Sequence, residues 1–189
     1  MENKVLLRDA TPADAPFIAR VVLAGIDMVD MGESIIEEQK PVLDHLVEIC
    51  RMDDTLYSYR HTRIAETCGQ AVGALIGYDG GQYAVMRAKT FGLVLQTSGL
   101  DLNKNAMETR EGEFYLDSMA VLPEFRGRKI GLQLIRDRMN WANQNGFEVI
   151  TLLVDKDKPH LQRYYEGLGF VFSEEMFVFG SWYNKLEKS

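Results

Sequence analysis

Apolar and polar positions follow two different periods along the chain, and each period predicts an element type. Period-two or continuous apolar runs predict strands, and apolar residues spaced by three or four predict helices. The strand-like runs are residues 5–8, 57–66, 71–78, 114–121, 149–154, 170–178 and 182–186. The helix-like runs are residues 12–26, 35–50, 82–96, 132–143 and 161–168. This alternation predicts one mixed α/β domain over residues 1–189, without internal repeats or low-complexity linkers.

Start and stop residues support several of these boundaries. Thr11, Pro12 and Asp14 predict a helix start, because Thr caps, Pro suits the first helical position and Asp reaches back as in a capping box. Ser34 is the corresponding prediction for the second helix, although Pro41 is awkward within its first turns. Gly146 is a good helix stop.

The stretch from 80 to 112 is an insertion before the strand at 114–121. Its first part, 82–96, has a helical pattern, and residues 97–112 are polar and loop-like. Long loops in compact domains often serve as lids or binding loops. A substrate lid and a homodimer contact are equally good interpretations of this insertion.

Composition excludes several classes of protein. With 189 residues, 46% of them hydrophobic and a net charge of −7, the chain is expected to be globular and not a nucleic-acid binder. No apolar run approaches the ~20 residues of a membrane helix, and the first residues lack an apolar signal core. We therefore expect a cytoplasmic protein without a membrane partner. Two cysteines and three histidines show no metal-ligand spacing, so no metal site is expected.

A basic turn with two glycines lies between the strand-like run 114–121 and the helix-like run from Leu132. Its sequence is Arg-Gly-Arg-Lys-Ile-Gly, residues 126–131. A helix that opens in this way exposes unpaired N–H groups at the positive end of its dipole, which suits a phosphate. Gly127 and Gly131 let the backbone approach a ligand closely. A small polyanion is the expected partner of this turn.

The turn resembles the acyl-coenzyme A motif Gln/Arg-x-x-Gly-x-Gly/Ala of the GCN5-related N-acetyltransferase (GNAT) family. Arg126 and Gly131 match its ends, and Lys129 replaces its middle glycine. Tyr-Tyr-Glu-Gly-Leu-Gly-Phe at 164–170 is similar to the family's Tyr-Glu-Lys-x-Gly-Phe signature, and residues 7–14 resemble its first strand and helix start. The resemblance implies a central mixed, mostly antiparallel twisted sheet, flanked by helices on both faces, whose parallel strands splay apart after Val121.

The same resemblance implies a binding site for acetyl-CoA. The backbone of Met119, Ala120 and Val121 would hydrogen-bond the pantetheine arm like an added strand. The pyrophosphate would lie on the N–H groups of residues 127–132. An asparagine common in the family is here Lys158, which could instead reach a phosphate. The cofactor-binding residues implied are Met119, Ala120, Val121, Arg126, Gly127, Arg128, Lys129, Ile130, Gly131, Leu132 and Lys158.

Two residues are implied to be catalytic. Tyr165 matches the family tyrosine that protonates the leaving sulfur, whereas Tyr164 lies ~100° around the helix and is expected to pack in the core. Family members often carry an acid on the strand before the turn; because side chains alternate there, Asp117 is the first choice of base and Glu113 the second. The candidates to hold a cationic acceptor, or simply to cap or face solvent, are Asp30, Glu33, Glu37 and Glu38.

The sequence therefore favours a cytoplasmic acetyltransferase that moves an acetyl group from acetyl-CoA to a primary amine of a small molecule or peptide. The alternative is a non-catalytic acyl-CoA-binding sensor or interaction module on the same fold, because Lys129 and Lys158 depart from the family pattern. A Rossmann enzyme is set aside, since Gly127 and Gly131 fit neither nucleotide-binding glycine motif. The amine acceptor itself remains unidentified at this point.

Overall fold

The computed structural model describes residues 4–189. The predicted order of elements is confirmed. The strands are β1 (Leu6–Asp9), β2 (Thr62–Thr67), β3 (Gln70–Asp79), β4 (Glu113–Val121), β5 (Val149–Asp155), β6 (Val171–Val178) and β7 (Ser181–Lys188). The α-helices are α1 (Ala15–Gly25), α2 (Lys40–Arg51), α3 (Gly80–Ser98), α4 (Ile130–Gln144) and α5 (Pro159–Glu166).

The strands form one mixed, mostly antiparallel sheet of seven in the order β1-β2-β3-β4-β5-β7-β6. Pairing is antiparallel for β1 with β2, β2 with β3, β5 with β7 and β6 with β7. Strands β4 and β5 pair in parallel, as expected for strands joined through a helix. The predicted fold class, a mixed α/β fold with a mostly antiparallel sheet, is confirmed.

The parallel pairing of β4 with β5 is short. It runs from Glu113 opposite Val149 to Leu116 opposite Leu152, although β4 continues to Val121. The expectation that these strands part after Val121 is therefore wrong by five residues. Beyond Leu152, β5 retains β7 as its antiparallel partner, so its backbone groups on that side remain paired.

Contacts within the chain cluster into two compact units. Unit 1 comprises residues 1–77 and 118–140, and unit 2 comprises residues 78–117 and 141–189. The core of unit 1 includes Ile18, Leu23 and Ile64, and that of unit 2 includes Tyr83, Phe91 and Phe114, all of them almost fully buried. Strands β3 and β4 contribute residues to both units.

The first helix begins as its sequence predicts. The Thr11 N–H donates to the Asp14 carboxylate at 2.7 Å, and Arg8 donates two hydrogen bonds of 2.8 Å to the same carboxylate. A 3-10 turn over Pro12–Asp14 leads into α1. The capping box thus fixes the path of the chain from β1 into the first helix.

The second helix starts later than predicted. It begins at Lys40 instead of Ile35, and Gln39 occupies the capping position that was assigned to Ser34. Pro41 lacks an N–H group, so it fits the first helical turn and not a helix interior. A helix from Ile35 would have placed Pro41 in its second turn, where it would remove a hydrogen bond.

Two further boundaries differ in detail. Strand β2 begins at Thr62 and not at Tyr57, because the Ser58 hydroxyl accepts from the Arg60 N–H at 3.1 Å and closes a 3-10 turn there. The helix predicted at 82–96 is confirmed as α3, whose Asp79 cap accepts from the Gly81 N–H at 2.8 Å. The insertion therefore contains a helix of five turns before its loop.

The loop after α3 is held within unit 2 by polar contacts. Arg87 of α3 donates to the carbonyl oxygen of Asn105 at 2.7 Å, and the Asn105 side chain accepts from the Phe179 N–H at 2.7 Å. Glu108 and Thr109 at the end of the loop are buried. Whether residues 80–112 act as a lid or a dimer contact stays a prediction.

Across residues 4–189, no helix is long and apolar enough to cross a membrane. The expectation that the chain lacks a signal segment depends partly on residues 1–3, which lie outside the described residues.

Candidate active site

The basic turn lies in unit 1, between the end of β4 and the start of α4. A 3-10 turn over Pro123–Phe125 stops the strand, as Pro123 predicts. Gly127 has a φ of +76° and Lys129 a φ of +60°. Lys129 thus adopts the left-handed backbone that glycine takes without steric cost, at the position where the resembled motif has glycine. The turn therefore has, at Lys129, the backbone conformation that a glycine would favour.

The charged side chains of this turn are exposed, and its apolar residue is not. Arg126, Arg128 and Lys129 face solvent, whereas Ile130 is buried and anchors the first turn of α4. The Arg128 guanidinium lies 5.1 Å from the centroid of the Phe125 ring. Cations and unpaired helix N–H groups therefore stand together at one helix start, which is suited to an anion.

Arg126 also ties the turn to the loop before α2. Its Nε donates to the Val121 carbonyl oxygen at 3.1 Å, and its Nη2 lies 3.1 Å from the Asp30 carboxylate. The hydrogen bond from the Gly32 N–H and the guanidinium of Arg126 lower the pKa of Asp30. Asp30, predicted as a candidate for binding a cationic acceptor, is thus paired with a cation of the chain itself.

The other acceptor candidates are engaged locally or face solvent. The Glu33 carboxylate accepts from the Asp30 N–H at 3.3 Å, and Glu37 forms an i,i+3 ion pair with Lys40 at 2.5 Å. Glu38 is exposed. These contacts match the capping and solvent-facing roles that were the alternative for this group.

Small residues surround the end of β4 within unit 1. A Cβ added to Gly131 would lie 3.4 Å from Met119 Cε, an ordinary contact distance. A Cβ added to Gly73 would lie 3.1 Å from Val121 and 3.3 Å from the Ala120 carbonyl oxygen. Met119, Ala120, Val121 and Leu132 are partly buried. Gly73 therefore lets β3 approach this segment more closely than a larger residue would.

Asp117 lies in unit 2 and is part of a cluster of tyrosines and carboxylates. The Tyr78 hydroxyl donates to the Asp117 carboxylate at 2.5 Å. The Tyr83 and Tyr115 hydroxyls donate to the two carboxylate oxygens of Glu108 at 2.7 and 2.9 Å. Asp117 is partly exposed, whereas Glu108 is buried.

Burial and charge shift the acid–base behaviour of this cluster. Burial and the negative charge of Asp117 raise the pKa of Glu108 to about 7, against the hydrogen bonds from Tyr83 and Tyr115, which lower it. Burial raises the pKa of the Tyr78 and Tyr115 hydroxyls well above the usual range. These tyrosines therefore stay protonated and act as hydrogen-bond donors at neutral pH.

Sequence reasoning missed Glu108, Tyr78 and Tyr83. Alternation along β4 correctly put Tyr115 on the same side as Asp117, which gave a signal that polar partners must meet this face. The alternation did not indicate that these polar partners come from the end of β3, from α3 and from the loop after α3. No local pattern marks Glu108 among the polar residues of that loop.

Glu113, the second choice of base, lies in a buried ion pair. Its carboxylate is 2.9 Å from Lys185 Nζ and also accepts from the hydroxyls of Thr109 and Thr151 at 2.9 and 3.2 Å. Burial opposes ionisation, but the hydrogen bonds from Lys185 and Thr109 prevail and lower the pKa of Glu113. Both carboxylate oxygens of Glu113 are therefore occupied by partners within the chain.

Tyr165 lies on α5 in unit 2 and is partly buried. Its ring makes edge contacts with Tyr164 and Phe170, at centroid distances of 5.4 and 5.8 Å. Burial raises the pKa of Tyr165 to about 12, so the hydroxyl carries its proton at neutral pH. Tyr164 is 40% exposed, and its predicted place in the core is wrong, because the ~100° step between helical neighbours turns it toward solvent.

Lys158 occupies the position immediately before α5. Its N–H donates to the Asp155 carbonyl oxygen at 2.9 Å. The predicted site residues 119–132 therefore belong to unit 1, whereas Asp117, Lys158 and Tyr165 belong to unit 2.

Within the described part of the chain, no three His, Cys, Asp or Glu residues are grouped so that they could hold a metal ion. Cys50 is buried and Cys68 is exposed, and both are free thiols.

Comparison with known proteins gives a family match over most of the chain. The model described as the acetyltransferase (GNAT) family matches residues 33–170, which include both the basic turn and the segment around Tyr165. A search of curated proteins found no significant match.

Many solved structures share the fold. A crystal structure of an acetyltransferase is similar with 29% identity and a TM-score of 0.72, covering 97% of this chain and 98% of that one. An N-acetyltransferase from Staphylococcus aureus Mu50 has 22% identity and a TM-score of 0.76, covering 97% and 100%. Ard1 from Thermoplasma volcanium has 14% identity and a TM-score of 0.60, covering 97% and 96%.

Proposed function

Because the chain belongs to the GNAT acetyltransferase family, which transfers acyl groups from acetyl-CoA to an acceptor, we propose that it acetylates a primary amine of a small molecule or peptide. The proposal rests above all on the basic turn. Gly127 and Lys129 both have left-handed backbone there, at the start of α4 and directly after β4. That conformation presents successive N–H groups to an anion.

In this proposal the turn binds the pyrophosphate of acetyl-CoA. The N–H groups of residues 127–132 hold the phosphate oxygens, and Arg126, Arg128 and Lys129 add positive charge. The backbone of Met119, Ala120 and Val121 pairs with the pantetheine arm, and one of these N–H groups polarises the thioester carbonyl. Lys158 contacts a phosphate. The conformation of the turn and the exposure of its cations support these assignments.

The proposed chemistry is direct attack with two proton transfers to or from side chains. Asp117 accepts a proton from the acceptor ammonium, whose free pKa is about 10. The amine nitrogen then bonds to the thioester carbonyl carbon, the carbon–sulfur bond breaks, and the nitrogen releases its second proton to water as the amide forms. Tyr165 donates its hydroxyl proton to the departing thiolate. Burial keeps the Tyr165 hydroxyl protonated at neutral pH, so a proton is available to the sulfur, and the tyrosinate left after the transfer regains its proton from water.

A cationic acceptor agrees with the charge of the chain. The net charge of −7 attracts an ammonium group over distances of about a Debye length, ~10 Å in 0.1 M salt. In this proposal residues 1–189 form one acetyltransferase domain that works in the cytoplasm. The insertion at 80–112 supports the site through α3 and Glu108, and it also serves as a lid or as a homodimer contact.

A panel of amines tests the function directly. The protein is mixed with acetyl-CoA and small amines, polyamines or peptides with a free N-terminus, and release of the thiol is followed together with the mass of the acetylated product. We expect release with at least one amine, and a loss of about 100-fold or more in kcat for D117N. D44N, which changes an exposed aspartate of α2, is the matched control and should retain full activity.

Tight binding of acetyl-CoA without thiol release across the panel would contradict the enzymatic proposal. That result would favour the non-catalytic acyl-CoA sensor, for which Lys129 and Lys158 are the departures from the family pattern.

A further inference from the structure

Two carboxylates, Glu108 and Asp117, meet within one polar cluster of unit 2. Glu108 comes from the loop after α3, and Asp117 comes from β4. Three tyrosine hydroxyls donate hydrogen bonds to these two carboxylates, and the rings of the three tyrosines pack together. The Tyr78 ring lies 6.1 Å from that of Tyr83 and 5.8 Å from that of Tyr115.

The two carboxylates differ in their access to solvent. Glu108 is only 8% exposed and has both oxygens hydrogen-bonded by tyrosines, while Asp117 is partly exposed. Glu108 is therefore shielded from solvent, whereas part of Asp117 is accessible. The titratable and charged groups that face Glu108 come from three elements; they are Tyr78 of β3, Tyr83 and Arg87 of α3, and Tyr115 and Asp117 of β4.

The two carboxylates of the cluster interact electrostatically, so they lose their protons in two steps that belong to the pair. The negative charge of Asp117 and burial favour the protonated form of Glu108. The converse also holds, because an ionised Glu108 opposes a second negative charge nearby. The pair therefore retains one proton at a pH at which two isolated carboxylates would both be ionised.

We propose that Glu108 is a positioning residue that shares one proton with Asp117, so that the two carboxyl groups work as a single base toward the acceptor ammonium. This inference rests on the proposed function, in which Asp117 receives the proton. When the pair is fully ionised, Asp117 takes the ammonium proton and the pair then holds one proton. After the product leaves, that proton passes to water.

Such a pair would be a stronger base than a single aspartate, whose weak basicity is a difficulty of the proposed chemistry. A lone aspartate, with a pKa of about 4, is a weak base for an ammonium of about 10. General-base catalysis is most efficient when the pKa of the base lies near the operating pH. Burial and the charge of Asp117 raise the pKa of Glu108 to about 7, which places the last ionisation of the pair in the neutral range.

The pH dependence of kcat/KM with one amine tests the proposal through the direction in which its acid limb moves in each variant. We expect the acid limb of the wild-type profile near the last ionisation of the pair. In E108Q the second carboxyl is absent, so the limb should move to lower pH by about one unit or more, with a lower plateau. In Y83F a hydrogen bond that favours ionised Glu108 is lost, so the limb should move to higher pH.

A purely structural role of Glu108 would lower activity in both variants without moving the limbs in opposite directions. That outcome would overturn the inference. Using the same amine throughout removes the contribution of the acceptor's own ionisation from the comparison.

A titration without any acceptor keeps the inference separate from the proposed function. Glutamate labelled with carbon-13 at the side-chain carboxyl is followed by NMR against pH, and the Glu108 signal is assigned by its loss in E108Q or, if that variant does not fold, by its shift in Y83F. We expect a midpoint near neutral pH in the wild type and a fall of about one unit or more in D117N. A midpoint in the ordinary glutamate range, or one unchanged in D117N, would overturn the inference whatever the amine panel shows.

Discussion

A lysine at position 129 occupies a backbone conformation that glycine adopts without strain. Its φ of +60° places Cβ close to the carbonyl oxygen, which costs an L-residue roughly 1–2 kcal/mol. The turn keeps this conformation although a glycine is missing. The backbone of Lys129 therefore has the conformation that the anion site requires, and its side chain adds a positive charge. Substitutions at this position can separate the effect of backbone strain from the effect of charge.

Replacing Lys129 by glycine should stabilise the protein and weaken cofactor binding. We expect K129G to raise the free energy of unfolding by up to about 1 kcal/mol, because the left-handed strain is relieved. Affinity for acetyl-CoA should fall, and its dependence on salt should become shallower, because one cation is lost. Thermal denaturation and calorimetry measure the two effects.

Asparagine at the same position is the matched control, since it tolerates left-handed backbone but carries no charge. K129N should lose affinity as K129G does. Equal affinity in wild type, K129G and K129N would show that the ammonium does not contact the cofactor.

Tyr165 should affect chemistry and not binding. We expect Y165F to lower kcat by a factor of about 100 or more, since a general acid contributes on the order of 100- to 10,000-fold. The affinity for acetyl-CoA should stay close to that of the wild type. Steady-state kinetics with the best amine and a calorimetric titration provide the two numbers.

Y164F changes the neighbouring, more exposed tyrosine and should leave both values unchanged. If Y165F instead lost acetyl-CoA binding and kept kcat, Tyr165 would belong to the scaffold and not to the proton transfer.

At the scale of elements, β4 carries both the proposed base and the residues proposed to pair with the pantetheine arm. Its first residues pair with β5, Asp117 belongs to the tyrosine–carboxylate cluster, and residues 119–121 lead into the basic turn. The strand was predictable because its apolar residues and its stop at Pro123 are local signals. The same holds for the capping box at Thr11 and for α3.

Other elements depended on signals that local pattern does not carry. Helix α2 begins later than its apolar spacing predicts, because Pro41 lacks the N–H group that a helix interior requires. Glu108 could not be predicted, since its role depends on Tyr83 and Tyr115, which precede and follow it by many residues. Tyr164 was assigned to the core because spacing alone does not say which side of a short helix is covered.

Gly131, in the first turn of α4, should matter for the ligand and not for the fold. A Cβ there would meet Met119 at 3.4 Å, an ordinary contact, and alanine has a better helix propensity than glycine by up to about 1 kcal/mol. We expect G131A to melt at or above the wild-type temperature and to keep its affinity for acetyl-CoA, because alanine also fits the last position of the resembled motif. The longer side chain of G131L should lower the affinity by about tenfold, or ~1.4 kcal/mol.

Gly92 is the matched control because it lies inside α3 and a Cβ there would meet nothing within 4 Å. G92A should be stabilised without a change in affinity. Unchanged affinity in G131L as well would argue against close approach of the cofactor at this position.

At the scale of the whole molecule, the negatively charged chain contains one buried ion pair whose contribution depends on pH. Glu113 and Lys185 are both nearly inaccessible to solvent and lie 2.9 Å apart. Breaking a buried pair by removing one partner typically costs roughly 3–5 kcal/mol, because the other charge is left uncompensated. The pair should therefore anchor β4 to β7 within unit 2.

The ion pair should stabilise the protein fully above the ordinary glutamate pKa, and this contribution should disappear only in stronger acid. The pKa of Glu113 is lowered in the folded protein, so its contribution is fully present at neutral pH and is lost as the pH falls through the folded value. We expect E113Q to lower the melting temperature by roughly 10 °C at neutral pH, from a cost of about 3 kcal/mol. The difference from wild type should shrink in acid.

E111Q changes an exposed glutamate of the preceding loop and should melt like the wild type at every pH. A constant difference between E113Q and wild type from neutral pH to acid would contradict this account of the ion pair.

Calorimetric titration with acetyl-CoA tests the central claim, that residues 126–131 bind the pyrophosphate of acetyl-CoA. We predict one molecule bound per chain, with exothermic binding that weakens as salt is raised. Affinity should fall by about tenfold, ~1.4 kcal/mol, in G131L and remain unchanged in G92A. Absence of binding at millimolar acetyl-CoA, or equal affinity in wild type, G131L and K129N, would contradict the claim.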